Sequence, residues 1–433
     1  MNNQQNNNIG FWAAFAIGVG GMVGGGIFAV LGLAVSLAKG GTPVAFLLAG
    51  LLALITSYSY VKLSLTYPDR GGSVKFINQA FGKGVFSGGM NNLLWIGYII
   101  MLSLYASAFG SYASNLLAIT SNRTLDFHIY ASLVILIASG INYYSIKVVG
   151  EIETFIVFIK LLILVLFIIV GLYGLFSNPN ISQLSFHDWE SPIHLLVGGM
   201  VIFVAYEGFE LIANAVPDIN NPVKNIPRSY YVSVLFVILL YIIIAIVTVG
   251  SLPFKEIASA QDYVLAEAAK PILGNPGFII ITIAALISTF SAINASLLGG
   301  SRVNYEIGED DELPHQFTYK LWNKPIGLAI TSIATLIATN LLTLKSISTA
   351  GSVGFIVLFA SINLAGVKLS RNTNSIKLIP LIGVLLCIAA VLVLIIQQYP
   401  SNPIGVIVAL SIITLSLFME YCYKNIERKR QNI

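Results

Sequence analysis

The stretch GVGGMVGGGIFAVLG, residues 18–32, holds seven glycines in fifteen positions. It lies inside an apolar segment, residues 10–37, that is long enough to cross a bilayer. A glycine in a helix interior costs about 1 kcal/mol relative to alanine. A span built this way is poorly suited to a regular helix. It is well suited to a place where bare backbone is needed.

The rest of the chain says what kind of place that is. Of 433 residues, 56% are hydrophobic and only 10% charged, whereas soluble proteins carry about 25% charged residues. So much apolar surface implies a multi-span membrane protein. Twelve helical spans are expected, at about 10–37, 42–67, 86–118, 127–145, 150–176, 192–216, 229–251, 277–303, 325–343, 346–367, 377–397 and 402–422. The runs are continuous, without the period-two alternation of a spanning barrel. The two cysteines, Cys387 and Cys422, give no disulfide framework.

Lysine and arginine set the expected orientation. Of 23 such residues, only Lys39, Arg123, Lys255, Lys270 and Lys345 fall in loops on one side, and Lys62 and Lys160 lie within spans. All others share the opposite side, including the tail KNIERKR. By the positive-inside rule, both termini are then cytoplasmic, in a plasma (inner) membrane, with the bilayer as the chain's surroundings. The tail is a topology anchor and not a nucleic-acid patch.

The sixth span is the second anomaly. In GGMVIFVAYEGFELIANAV, Glu207 and Glu210 stand where apolar residues are cheap, and a carboxylate near the bilayer centre costs at least about 2.5 kcal/mol. Spans one to five and six to ten are nearly equal in length. Five is odd, so the second set enters from the opposite face, as in an inverted repeat. The expected organisation is a first repeat at 9–176, a second at 192–368, two further helices at 377–423 and a basic tail at 424–433. A helix broken at mid-membrane frees backbone groups that lipid cannot satisfy, so they must line a cavity. Half-helix N-termini suit a carboxylate and freed carbonyls suit an ammonium. Together they fit an amino acid. The triple Gly24–Gly25–Gly26 is expected to unwind, while Gly18 and Gly32 serve close packing.

At these residues the chain resembles the amino acid–polyamine–organocation superfamily of transporters. The resemblance is carried by MVGGGIF at 22–28 and FVAYEGFELIANAVPDINNPVKNIPR at 203–228, with YPDRGGSVKFINQAFG after span two and SRVNYEIGEDDELP after span eight. It implies an all-α, LeuT-like fold of two inverted five-helix repeats with broken helices one and six. It also implies alternating access to a central site. By resemblance, the N–H groups of Gly24, Gly25 and Gly26 hold the substrate carboxylate. The carbonyls of Met22, Phe203, Val204 and Glu207 take its ammonium. Either Phe203 or Tyr206 forms an aromatic lid.

Lys160 is the one charge within the apolar run of span five, about 15 Å from Gly150 at 1.5 Å per residue. That depth exceeds comfortable snorkelling. Proton-coupled members of the superfamily have a lysine on this span, occupying the place of a sodium ion between spans one and eight. The resemblance therefore implies proton coupling through Lys160. The rival is sodium, held by Ser288, Thr289 and Ser291 of span eight, although such hydroxyls more often bond their own helix. Glu207 either meets the substrate or proton, or caps a half-helix N–H. Glu210 is expected to be structural, paired to hydroxyls of span ten or eight. GEDDELP at 308–314 is read as a solvated loop.

Other classes fare worse. A channel or receptor needs no inverted halves. An intramembrane enzyme needs a nucleophile–base pair or metal cluster, and the chain has no HExxH, GxSxG or GxxxxGK[ST] motif. No cofactor or metal is expected. An amino acid/polyamine exchanger is the nearest alternative within transporters, and Glu207 is its one candidate acid.

Overall fold

The computed structural model describes residues 9–144, 146–175, 179–309, 320–321 and 324–431. Long apolar runs leave the backbone no partner but itself, so the chain is helical almost throughout. In order, the helices are α1 (Phe11–Val23), α2 (Gly26–Ala38), α3 (Thr42–Thr66), α4 (Ser73–Phe81), α5 (Val85–Leu116), α6 (Arg123–Tyr144), α7 (Ile146–Leu175) and α8 (Pro192–Val201). Then come α9 (Leu211–Ala215), α10 (Pro222–Ser251), α11 (Phe254–Ser259), α12 (Val264–Glu309), α13 (Ile326–Leu341), α14 (Leu344–Lys368), α15 (Leu378–Gln398) and α16 (Pro403–Gln431). A two-residue antiparallel ladder pairs Lys320–Leu321 with Lys324–Pro325.

Every expected span is a helix or a bent pair of helices. Nine described helices are long and apolar enough to cross a membrane. The first and sixth spans are bent: α1 meets α2 at 44°, and α8 meets the segment Phe203–Asp218 at 45°. The ninth expected span is the shorter α13, of 16 residues.

Three boundaries differ from expectation. In α12 a helical segment from Val264 precedes the span expected from 277 and joins it at a kink, where Gly274 adopts a non-helical φ of +64°. Helix α10 starts at Pro222, whose ring fixes the first helical turn and whose missing N–H is not needed there. Helix α16 runs to Gln431, so the basic stretch at 424–431 continues the last span as helix. The acidic loop at 310–314 lies outside the described residues.

Helix α5 is the central post. In its most apolar window 94% of residues are buried, against 28% for α16. It packs on α12, α6, α14 and α16. The bent spans lie inside this ring, since every residue from Met22 to Val35 and from Val197 to Glu210 is buried. A bent helix in lipid would leave polar backbone exposed. Here it is enclosed by protein.

Candidate functional site

The first bend falls at Gly24–Gly25, between the end of α1 and the start of α2. Neither residue has positive φ (−53° and −136°), so left-handed backbone is not the reason for glycine. Close approach is. A Cβ on Gly25 would enter the Tyr105 ring of α5, and one on Gly24 would come within 2.9 Å of the Ala292 methyl on α12. Gly26 lies against Ala205 of the second bend, and Gly21 against the Gly208 carbonyl. A Cβ on Gly208 would in turn strike the backbone of Gly21 and Met22. The two bends therefore meet backbone to backbone.

The second bend is wound differently. After Ile202, eight residues, Phe203–Glu210, form a 3-10 helix, and all are buried. Three residues per turn stack side chains in columns. Val204, Glu207 and Glu210 share one such column. Val204 and Ile100 of α5 both border Gly351 of α14. Glu210 accepts hydrogen bonds from the hydroxyls of Ser73 (2.6 Å), Tyr98 (2.8 Å) and Tyr60 (3.3 Å). Its partners thus come from spans two and three and from α4, not from span ten or eight. The tighter winding turns the column toward α5 and corrects that expectation.

Bending frees carbonyls, and buried carbonyls must be paired. Side-chain donors from surrounding helices pair them. The Tyr241 hydroxyl of α10 donates to the Met22 carbonyl at 2.7 Å and reaches the Ala205 carbonyl at 3.3 Å, spanning both bends. Ser288 of α12 donates to the Val23 carbonyl at 3.1 Å and to that of Gly24. Ser348 and Ser352 of α14 donate to the Val201 carbonyl at 2.7 and 2.8 Å, and Ser352 accepts from the Val204 N–H. Lys160, 1% exposed, donates to the Gly20 carbonyl at 3.1 Å.

The residues singled out in the sequence separate accordingly. Gly24, Gly25, Gly26, Met22, Phe203, Val204, Tyr206, Glu207, Lys160 and Ser288 all lie at or around the two bends. Thr289 does not turn to the first span, because its hydroxyl bonds the Ala285 carbonyl of its own helix at 2.7 Å. Ser291 is buried on the same helix. Of the three α12 hydroxyls, only that of Ser288 reaches the first bend among the hydrogen bonds of the described residues. Phe203 packs edge-on against Phe359. Tyr206 sets its ring on Tyr241 and its hydroxyl on the Phe46 carbonyl at 2.9 Å. Glu207 is 3% exposed and its Oε2 accepts no hydrogen bond among the described residues, so it caps no N–H through that atom.

Sequence reasoning missed Tyr241, Ser348 and Ser352. The two serines stand four apart on one helix face, a readable signal. Tyr241 is one of 20 tyrosines, and nothing beside it in the chain marks it.

Among the described residues no group of three or more His, Cys, Asp or Glu could hold a metal. Comparison with known proteins accords with the geometry. The profile of the family described as amino acid permease matches residues 9–418. An uncharacterized protein of Methanocaldococcus jannaschii, MJ0609, is 34% identical over 92% of this chain and 91% of its own. The inner membrane transport protein YbaT of Escherichia coli is 31% identical over 98% and 99%. The branched-chain amino acid permease BcaP of Lactococcus lactis is 28% identical over 69% and 68%. A profile that takes in both bends, the buried lysine and the hydroxyls around them makes the chain a membrane transporter belonging to the amino acid permease family.

Proposed function

We propose that the protein imports an amino acid by alternating access about the two bends, and that a proton handled at Lys160 drives the import. The observation that carries this is the meeting of the bends. Gly21 lies on Gly208 and Gly26 on Ala205, so the backbones of both spans meet inside the protein. N–H groups of Gly24, Gly25 and Gly26 would receive the substrate carboxylate, and carbonyls of Phe203, Val204 and Glu207 its ammonium. Met22 could join them only by exchanging its bond with Tyr241. The two halves that rock against each other would be 9–176 and 192–368, with both termini cytoplasmic.

Proton coupling is favoured by what covers the carbonyls of the first bend. A sodium ion at this bend would compete for those of Gly20, Val23 and Gly24. Lys160 already donates to the first and Ser288 to the other two. A fixed ammonium also repels a cation. An ammonium at this depth needs its partners, so gain or loss of its proton changes how firmly α7 holds α1.

The test is uptake of a radiolabelled amino acid panel into proteoliposomes under imposed gradients. An inward proton gradient should stimulate the wild type by about tenfold or more, and Lys160→Ala should abolish that stimulation while counterflow persists. Uptake driven by sodium alone, with Lys160→Ala behaving as the wild type, rejects the proton assignment.

A further inference from the structure

The transport cycle above uses the main-chain carbonyl of Glu207 and leaves its buried carboxyl without a role. Above it Val204 borders Gly351 of α14, and below it Glu210 is held by three hydroxyls. Glu207 has no comparable holders among the described residues, because its Oε2 is enclosed without a hydrogen-bond donor. Glu207 stands one 3-10 turn from Glu210, on the side of α5 where Tyr98 and Tyr105 lie seven residues apart on one helix face. Tyr98 is committed to Glu210. The Tyr105 ring lies on Gly25, at the first bend. The column thus sets the acid beside the corner shared by the first bend, the second bend and α5. A substrate whose carboxylate and ammonium lie on the bends would project its side chain there.

A buried carboxyl without a donor is costly, and it stays so if the substrate brings only methyl groups. A substrate that brings a charged donor turns that cost into a charge-assisted hydrogen bond. We infer that the amino acid carried by this protein has a cationic side chain, an ammonium or guanidinium, and that Glu207 is the residue that selects it. The inference rests on the transport reading and adds the substrate class.

Lysine against norleucine is the discriminating pair, since the two differ chiefly in the terminal ammonium. In proteoliposomes the wild type should take up lysine at least about tenfold faster than norleucine, because a site built around a hydrogen bond rejects an analogue that lacks it. Glu207→Gln should collapse that ratio toward one, and Glu207→Asp should restore part of it. Thermal stabilisation of the purified wild type by lysine, compared with norleucine, probes the same preference without relying on a variant that folds. A wild-type preference for norleucine, equal rates for both, or a ratio untouched by Glu207→Gln each overturns the inference while leaving amino acid transport standing. Uptake of no amino acid at all sinks the transport reading and the inference with it.

Discussion

The two bends turn the chain by nearly the same angle, 44° and 45°, yet they are built from opposite materials. The first is made by subtraction. Its glycines carry nothing, so α5, α12 and the second bend close directly onto its backbone. The second is made by tighter winding, and six of its eight residues keep side chains larger than a methyl group, two of them acids. One bend offers main-chain groups, and the other offers side chains in a column. A site that binds every substrate of a class by shared groups, yet sorts members by their differences, can use both. In the proposed cycle the first would supply the constant part and the second the variable part.

This division can be broken where the bends touch. Gly208→Ala pushes a Cβ into the backbone of Gly21 and Met22, and no rotamer relieves it. Overpacking of this kind costs about 1–3 kcal/mol. With backbone on both sides the upper end applies, so uptake should fall by roughly a hundredfold, measured at wild-type expression levels. Gly25→Ala meets a tyrosine ring, which can shift, and should cost less.

Tyr241→Phe tests whether the bends are held as one unit. It removes the donor from the Met22 and Ala205 carbonyls together. Leaving buried acceptors unpaired costs about 1–3 kcal/mol. Thermal denaturation in detergent should show that loss, and uptake should fall alongside it.

The smallest effects separate the bends. Ser288→Ala strips the first bend and Ser352→Ala the second, at about 1 kcal/mol each. Ser348 still covers the Val201 carbonyl in the latter. Ser352→Ala then leaves one group unpaired, the Val204 N–H, where Ser288→Ala leaves two carbonyls. It should therefore be the milder change in melting temperature, and equal losses would argue that the two bends are supported alike.

Much of this was legible in the chain. Twelve spans follow from apolar run length, and the bends follow from glycines and acids placed where a lipid-facing helix would have neither. Lys160 was legible because one charge in a long apolar run has no innocent explanation. The Glu210 partners were not, because Tyr60, Ser73 and Tyr98 reach it only through the turn that 3-10 winding adds. Which α12 hydroxyl reaches the first bend was not legible for a related reason. An intrahelical bond to Ala285 competes with any bond across to α1, and the sequence does not say which way a hydroxyl turns. Tyr241 lies 219 residues from the carbonyl it serves, beyond any local pattern.

The contact of Gly21 with Gly208 also bears on how this chain can change over generations. Elsewhere in a packed interior, a residue that grows can be tolerated when its neighbour shrinks. Here both neighbours are already at the minimum, so no exchange of volume is open to them. Drift must leave this pair alone and spend itself elsewhere, and a lineage adopting new nutrients would rewrite positions such as Val204 and Glu207 long before it touched the joint between the helices.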